Sequence, residues 1–100
     1  MDLSKYGFRE DFDWNNRFDL KTTVGDYQVS TVDLGINHQF DENLPPLYYE
    51  TMIFPIANGE VHYLELYCDR YTTEEEAREG HQKAIDYVKE QLEKVGEQNE

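Results

Sequence analysis

The sequence is 100 residues long, enough for one domain and too short for a second core. Twenty-two acidic against nine basic residues leave a net charge of −13, which disfavours direct binding to nucleic-acid phosphates or to anionic membranes, since both are gripped by basic clusters. The 38% apolar content separates the chain from a disordered acidic tail, and a single cysteine excludes an internal disulfide framework and a four-thiolate zinc site.

In chain order, residues 1–16 form an arm in which Tyr6, Phe8, Phe12 and Trp14 carry too many rings to leave in water. The arm is expected to pack on the rest of the domain, in a conformation its pattern leaves open. Its beginning, MDLSKYGFRED, lacks the apolar core of a signal peptide, and no apolar run approaches the ~20 residues that span a bilayer. A soluble, cytoplasmic protein is the expectation.

Residues 17–71 read as antiparallel sheet. Phe18, Leu20, Thr22 and Val24 alternate with period two, and strands over 18–24 and 27–36 flank Gly25-Asp26 as a hairpin. Gly35 marks a bulge or a close backbone approach. A connector containing Pro45-Pro46 leads to a second hairpin, with strands over 47–56 and 61–71 around Asn58-Gly59, the pair that a type I′ turn demands. With Ala57 opposite Glu60, continuous pairing places Leu47, Tyr49, Thr51, Ile53, Leu64, Leu66, Cys68 and Arg70 on one face. Tyr48, Glu50, Met52, Phe54, Tyr63, Glu65, Tyr67 and Asp69 take the other. The first, more aliphatic face is the expected seat of the helix.

Residues 72–96 are the clearest element. Thr72 and Thr73 each precede a Glu by three positions, so either can open a capping box, and Glu74, Glu75 and Glu76 suit the positive end of a helix dipole. Ala77, His81, Ala84, Ile85, Val88, Leu92 and Val95 make one stripe. Gly80 inside the stripe costs about 1 kcal/mol in propensity, which close approach to the layer beneath would offset. Gly96 is placed as the C-cap, with 97–100 as a frayed tail. The sum is an α+β fold: an antiparallel sheet of about four strands in two hairpins, with one long C-terminal helix on one face. The opposite face is left for the arm, a second copy or a partner.

Catalytic signals are weak. The chain has no GxSxG elbow, no phosphate-cradling loop and no HExxH motif, and no residue is assigned a catalytic role. Cys68 is placed mid-strand on the buried face, as an inert small hydrophobe. His38, Glu50 and His81 are the candidate ligand or structural polar cluster. A cation there would depend on folding to gather them, since no two have ligand spacing, so neither a metal nor a cofactor is assigned. Glu50 needs a partner in its apolar strand, with Tyr67 opposite it in the continuous register and Arg70 available only in another. Glu74–Arg78, Glu79–Lys83 and Glu90–Lys94 are i,i+4 pairs of an ordinary solvated helix face. The acidic surface also admits mimicry of nucleic-acid phosphates, placed in a basic groove of a partner.

The stretches VSTVDLGINHQF, PPLYYETMIF and RYTTEEEAREGHQKAIDYV, in this order, resemble a group of small phage- and prophage-encoded proteins. The matching positions are Gly35, His38, Glu50, Arg70, Tyr71, Glu76, Gly80 and His81, with Asp33 standing where the group has a large apolar residue. The resemblance implies a phage-type origin and no particular activity. Together with the composition it leads to the expectation of a non-enzymatic protein that binds a host or phage protein, inhibiting a host enzyme or an anti-phage defence complex. The expected contact residues are Tyr48, Met52, Tyr63 and Tyr67, because aromatic residues and Met are favoured at interface cores. Homo-oligomers are compatible with the same surface.

Overall fold

The computed structural model of the chain describes residues 9 and 11–98. The expected packing of Tyr6 and Phe8 and the end of the frayed tail lie outside them. Five strands precede one helix: β1 (Asp19–Val24), β2 (Tyr27–Asp33), β3 (Tyr49–Ala57), β4 (Glu60–Val61), β5 (Tyr67–Tyr71) and α1 (Glu74–Gln98). All pairings are antiparallel, in the order β1-β2-β3, and both β4 and β5 lie along the far side of β3. The sheet curls into a half-barrel, and α1 packs on one of its faces. The α+β arrangement predicted from pattern is the observed one.

The two tight turns form where the sequence places them. Val24 pairs with Tyr27 around Gly25-Asp26, and Ala57 pairs with Glu60 around Asn58-Gly59. Asn58 and Gly59 have φ of 55° and 78°, the positive pair required by a type I′ turn.

The second hairpin then departs from the continuous register. After Val61 the chain leaves the ladder over residues 62–66 and rejoins it with Tyr67 opposite Ile53. The His62 N–H donates to the Pro55 carbonyl at 2.9 Å and the Leu66 N–H to the Ile53 carbonyl at 3.0 Å, so the excursion is pinned at both ends. Glu50 now faces Arg70 instead of Tyr67, a shift of three residues. An odd shift turns every side chain to the other face. Tyr67 thus moves to the helix side, where Tyr71 joins it, while Cys68 and Arg70 move to the outer side, the reverse of the expectation for Tyr67, Cys68 and Arg70. The gain is physical: two rings enter the interlayer core, and an arginine reaches a carboxylate that would otherwise be stranded.

The core lies between the β2–β3 pair and the middle of α1. Val29, Ile53, Ala84, Ile85 and Val88 form one buried cluster, with Val24, Tyr27 and Tyr67 packed around it. Thr73 is the N-cap: its Oγ1 accepts the Glu76 N–H at 3.1 Å while the Glu76 carboxylate accepts the Thr73 N–H at 3.2 Å. The choice between Thr72 and Thr73 is thereby made. Gly80 lies against the Tyr71 ring, where a Cβ would collide with it. At the other end α1 runs on to Gln98, so Gly96 is an interior residue and not the C-cap. It has no positive φ, and the end of the helix projects past the sheet into open space, where no packing demands a turn.

Candidate functional site

Between the layers lies a short polar seam. The His81 imidazole reaches from α1 to the Thr22 hydroxyl on β1 at 2.9 Å through Nε2 and to the Thr31 hydroxyl on β2 at 2.7 Å through Nδ1. Thr31 is bonded in turn to the Thr51 hydroxyl on β3 at 2.6 Å. One ring nitrogen donates and the other accepts, so a neutral imidazole fits the pair of hydroxyls. Burial lowers the His81 pKa from its ordinary value. Nearby, the buried Tyr71 hydroxyl has no hydrogen-bond partner among the described residues, and burial pushes its pKa up to about 12. The seam joins α1 to three strands, and its contacts are those of a structural histidine.

The outer face is different in kind. Arg70 Nε donates to Glu50 Oε2 at 2.9 Å, and the Glu50 side chain is only 8% exposed. Lys21 pairs with Asp19 on the same side. Cys68 is exposed there, with its Sγ 3.7 Å from Glu50 Oε2. Desolvation and the adjacent Glu50 carboxylate push its thiol up to about 11, which keeps it protonated and unreactive near neutrality.

Of the candidate cluster, then, Glu50 and His81 stand on opposite faces of the sheet. His38 sits in the connector, tied by its backbone N–H to the Leu47 carbonyl at 2.9 Å. Among the described residues no three His, Cys, Asp or Glu side chains gather in a way that would hold a metal ion. No described helix is long and apolar enough to cross a membrane.

The four expected contact residues fall in three places. Met52 is half-buried on the outer face, beside Ser30 and Cys68 in register. Tyr48 is half-buried near the end of β2, with the Arg9 guanidinium 5.2 Å from its ring centre. Tyr63 and Tyr67 belong to a third region, around residues 62–67. Tyr63 is 81% exposed and meets the Phe54 ring at a steep angle, with ring centres 5.2 Å apart. Tyr67 faces the helix and stacks in a tilted fashion on Tyr87 at 5.7 Å.

Here the surface is concave. A groove of about 270 Å³ runs between the far half of α1 and the sheet, lined by Tyr27, Ile53, Leu66, Tyr67, Tyr87 and Val88, and extending to Gln91 and Val95. Of these, Leu66, Tyr87 and Val95 are each about half exposed. Val95 and Leu92, expected in the core stripe, are exposed, because the core ends at Val88; Val95 instead lies in line with Tyr87 and Gln91, at intervals of four on the flank of α1. Leu64 and Leu66 were not readable as surface, because continuous pairing would have buried them under the helix.

The acidic side chains of α1 are interleaved with Arg78, Lys83, Lys89 and Lys94, and Glu74–Arg78 and Glu90–Lys94 form as ion pairs at 3.7 and 3.2 Å. Comparison of the chain with protein-family models, with curated proteins and with solved structures finds no match in any of the three.

Proposed function

We propose that the chain is a non-enzymatic binding protein that docks a basic protein partner along the groove between α1 and residues 62–67. The observation that carries this reading is the groove itself. Large apolar side chains are held open to water on both walls, by a rigid helix on one side and a strand-pinned excursion on the other. Tyrosine and leucine walls offer contact area at low side-chain entropy cost. The charge of −13 supports a basic partner, because it steers cationic molecules inward and repels a second copy of the chain. The resemblance to phage- and prophage-encoded proteins supports a host or phage protein as that partner. Inhibition of a host enzyme or defence complex is the outcome we propose for the occupied state.

The test is a comparative pull-down from bacterial lysate. The wild type is set beside Leu66→Ser and Val95→Ser in the groove, and beside Lys21→Ala on the outer face. Circular dichroism establishes that each variant is folded. A partner retained by the wild type and Lys21→Ala but lost by both groove variants supports the assignment. Partners retained equally by all four proteins would remove it.

A further inference from the structure

At the end of the sheet remote from the groove, the chain encloses one of its own arginines. Arg9 forms a fork with the Asp33 carboxylate, Nη2 to Oδ2 and, at 3.4 Å, Nη1 to Oδ1. Its guanidinium carbon lies 5.2 Å from the Tyr48 ring centre, 5.8 Å from Tyr49 and 6.0 Å from Phe12. Its Nε meets Asp11, and its backbone N–H donates to the Gly35 carbonyl at 2.6 Å. A carboxylate fork with aromatic walls suits a planar, delocalised cation much better than a compact ammonium.

Two features separate the walls from the occupant. The walls belong to the sheet: Asp33 is the last residue of β2, in register with Tyr49 of β3, and the Leu34 N–H donates to the Tyr48 carbonyl at 2.8 Å. The Asp33 carboxylate is 5% exposed and is oriented independently of Arg9 by the Gly35 N–H, 2.9 Å from Oδ1. Arg9 lies outside the strands, before β1, and among the described residues its main chain is bonded to Gly35 and Phe12. The position of Gly35 matters too. Its φ is +69°, and the Phe12 ring lies against it where a Cβ would stand, so its carbonyl is presented to a main-chain N–H beside the carboxylate.

We propose that Asp33, Tyr48, Tyr49 and the Gly35 carbonyl form a recognition site for an arginine of a basic polypeptide, held shut in the free chain by its own Arg9. The site reads both the guanidinium and the adjoining main chain, which is what a polypeptide arginine offers and a free amine does not. Arg9 acts as a tethered competitor. An incoming arginine replaces it contact for contact, and the protein's negative field supplies the approach. The residues differ from those of the groove, so neither site depends on the other.

The probes are the peptides acetyl-Gly-Arg-Gly-amide and acetyl-Gly-Lys-Gly-amide, titrated into the full chain at fixed ionic strength and followed at the Gly35 amide by NMR. Removing a tethered competitor restores the affinity that its effective concentration suppresses. Arg9→Ala should therefore bind the arginine peptide about tenfold tighter than the wild type or better, and should prefer it to the lysine peptide by a similar factor. Arg9→Lys, whose ammonium makes a poorer fork, should fall between the two and decides the matter if Arg9→Ala does not fold. Equal affinity of wild type and variant for the arginine peptide, or equal affinity for the two peptides, would show that Arg9 is only a staple.

Discussion

His81 shows how much one side chain can be asked to hold. Its imidazole bridges hydroxyls on two strands from a position that is 6% exposed, and among the described residues no carboxylate is bonded to it. Burial lowers its pKa in the folded chain, so the unfolded chain takes up a proton at higher pH than the folded one does. The stabilisation tied to this difference is complete above the ordinary histidine pKa of about 6.5 and is lost as the pH falls through the folded value. Urea unfolding of the wild type should thus weaken progressively from pH 7.5 to pH 5. His81→Gln should be less stable at pH 7.5 by about 1–3 kcal/mol, because the half-buried Thr22 and buried Thr31 hydroxyls lose the imidazole between them, and should show a shallower decline with acid. An identical pH slope in both proteins would assign the acid sensitivity to other groups.

Arg70 and Glu50 obey the same rule with opposite stakes. The carboxylate is nearly buried and the guanidinium about one-third exposed. Arg70→Ala should cost about 1–3 kcal/mol, most of it the penalty of leaving a desolvated carboxylate alone. Adding Glu50→Gln to that variant should recover a large part of the loss. A double-mutant cycle with a coupling near zero would mean that water already satisfies Glu50.

At the scale of elements, α1 and β5 meet through a fit that propensity alone would misjudge. An alanine in place of a mid-helix glycine ordinarily stabilises a helix by about 1 kcal/mol. Here Gly80→Ala should destabilise by about 1–3 kcal/mol, since the added methyl strikes the Tyr71 ring and α1 must lift from the sheet. Tyr71→Phe removes a buried hydroxyl that has no partner among the described residues, so it should be neutral or stabilising, and combining it with Gly80→Ala should soften the clash. Thermal unfolding of the three proteins checks the order. A Gly80→Ala protein as stable as the wild type would place α1 farther from β5.

The legibility of the elements follows from the range of the forces that shape them. Thr73 with Glu76, and Asn58 with Gly59, act within a few residues, and both appear as expected. Strand 61–71 does not appear as one piece, because its break is decided by partners elsewhere in the chain: Glu50 needing Arg70, and the helix needing Tyr67 and Tyr71 beneath it. Gly96 illustrates the converse. A glycine ends a helix when a turn must follow, and among the described residues none lies within reach of a Cβ at Gly96 to require one.

For the whole molecule the governing quantity is charge. A chain of −13 repels itself, so its thermal midpoint should rise as sodium chloride is added up to about 0.5 M, over which the Debye length contracts well below 10 Å. A midpoint unchanged by salt would show that local pairs such as Glu74–Arg78 and Glu90–Lys94 already neutralise the repulsion. The same field should favour basic partners at both sites proposed above and should make their binding weaken with salt.

The amino-acid order by itself determined the kinds of element, both tight turns, a capping box at Thr72 or Thr73 and the part of the stripe from Ala77 to Val88 that faces the core, since these depend on neighbours three or four positions away or on strict alternation. It also marked His81 and Glu50 as polar groups in need of partners. Only the tertiary structure decided which partners they took, which faces Tyr67 and Cys68 occupy, and that Arg9 closes over Asp33. Those outcomes rest on groups tens of residues apart in the chain. Their energies become comparable with local preferences only once packing has excluded water from around them.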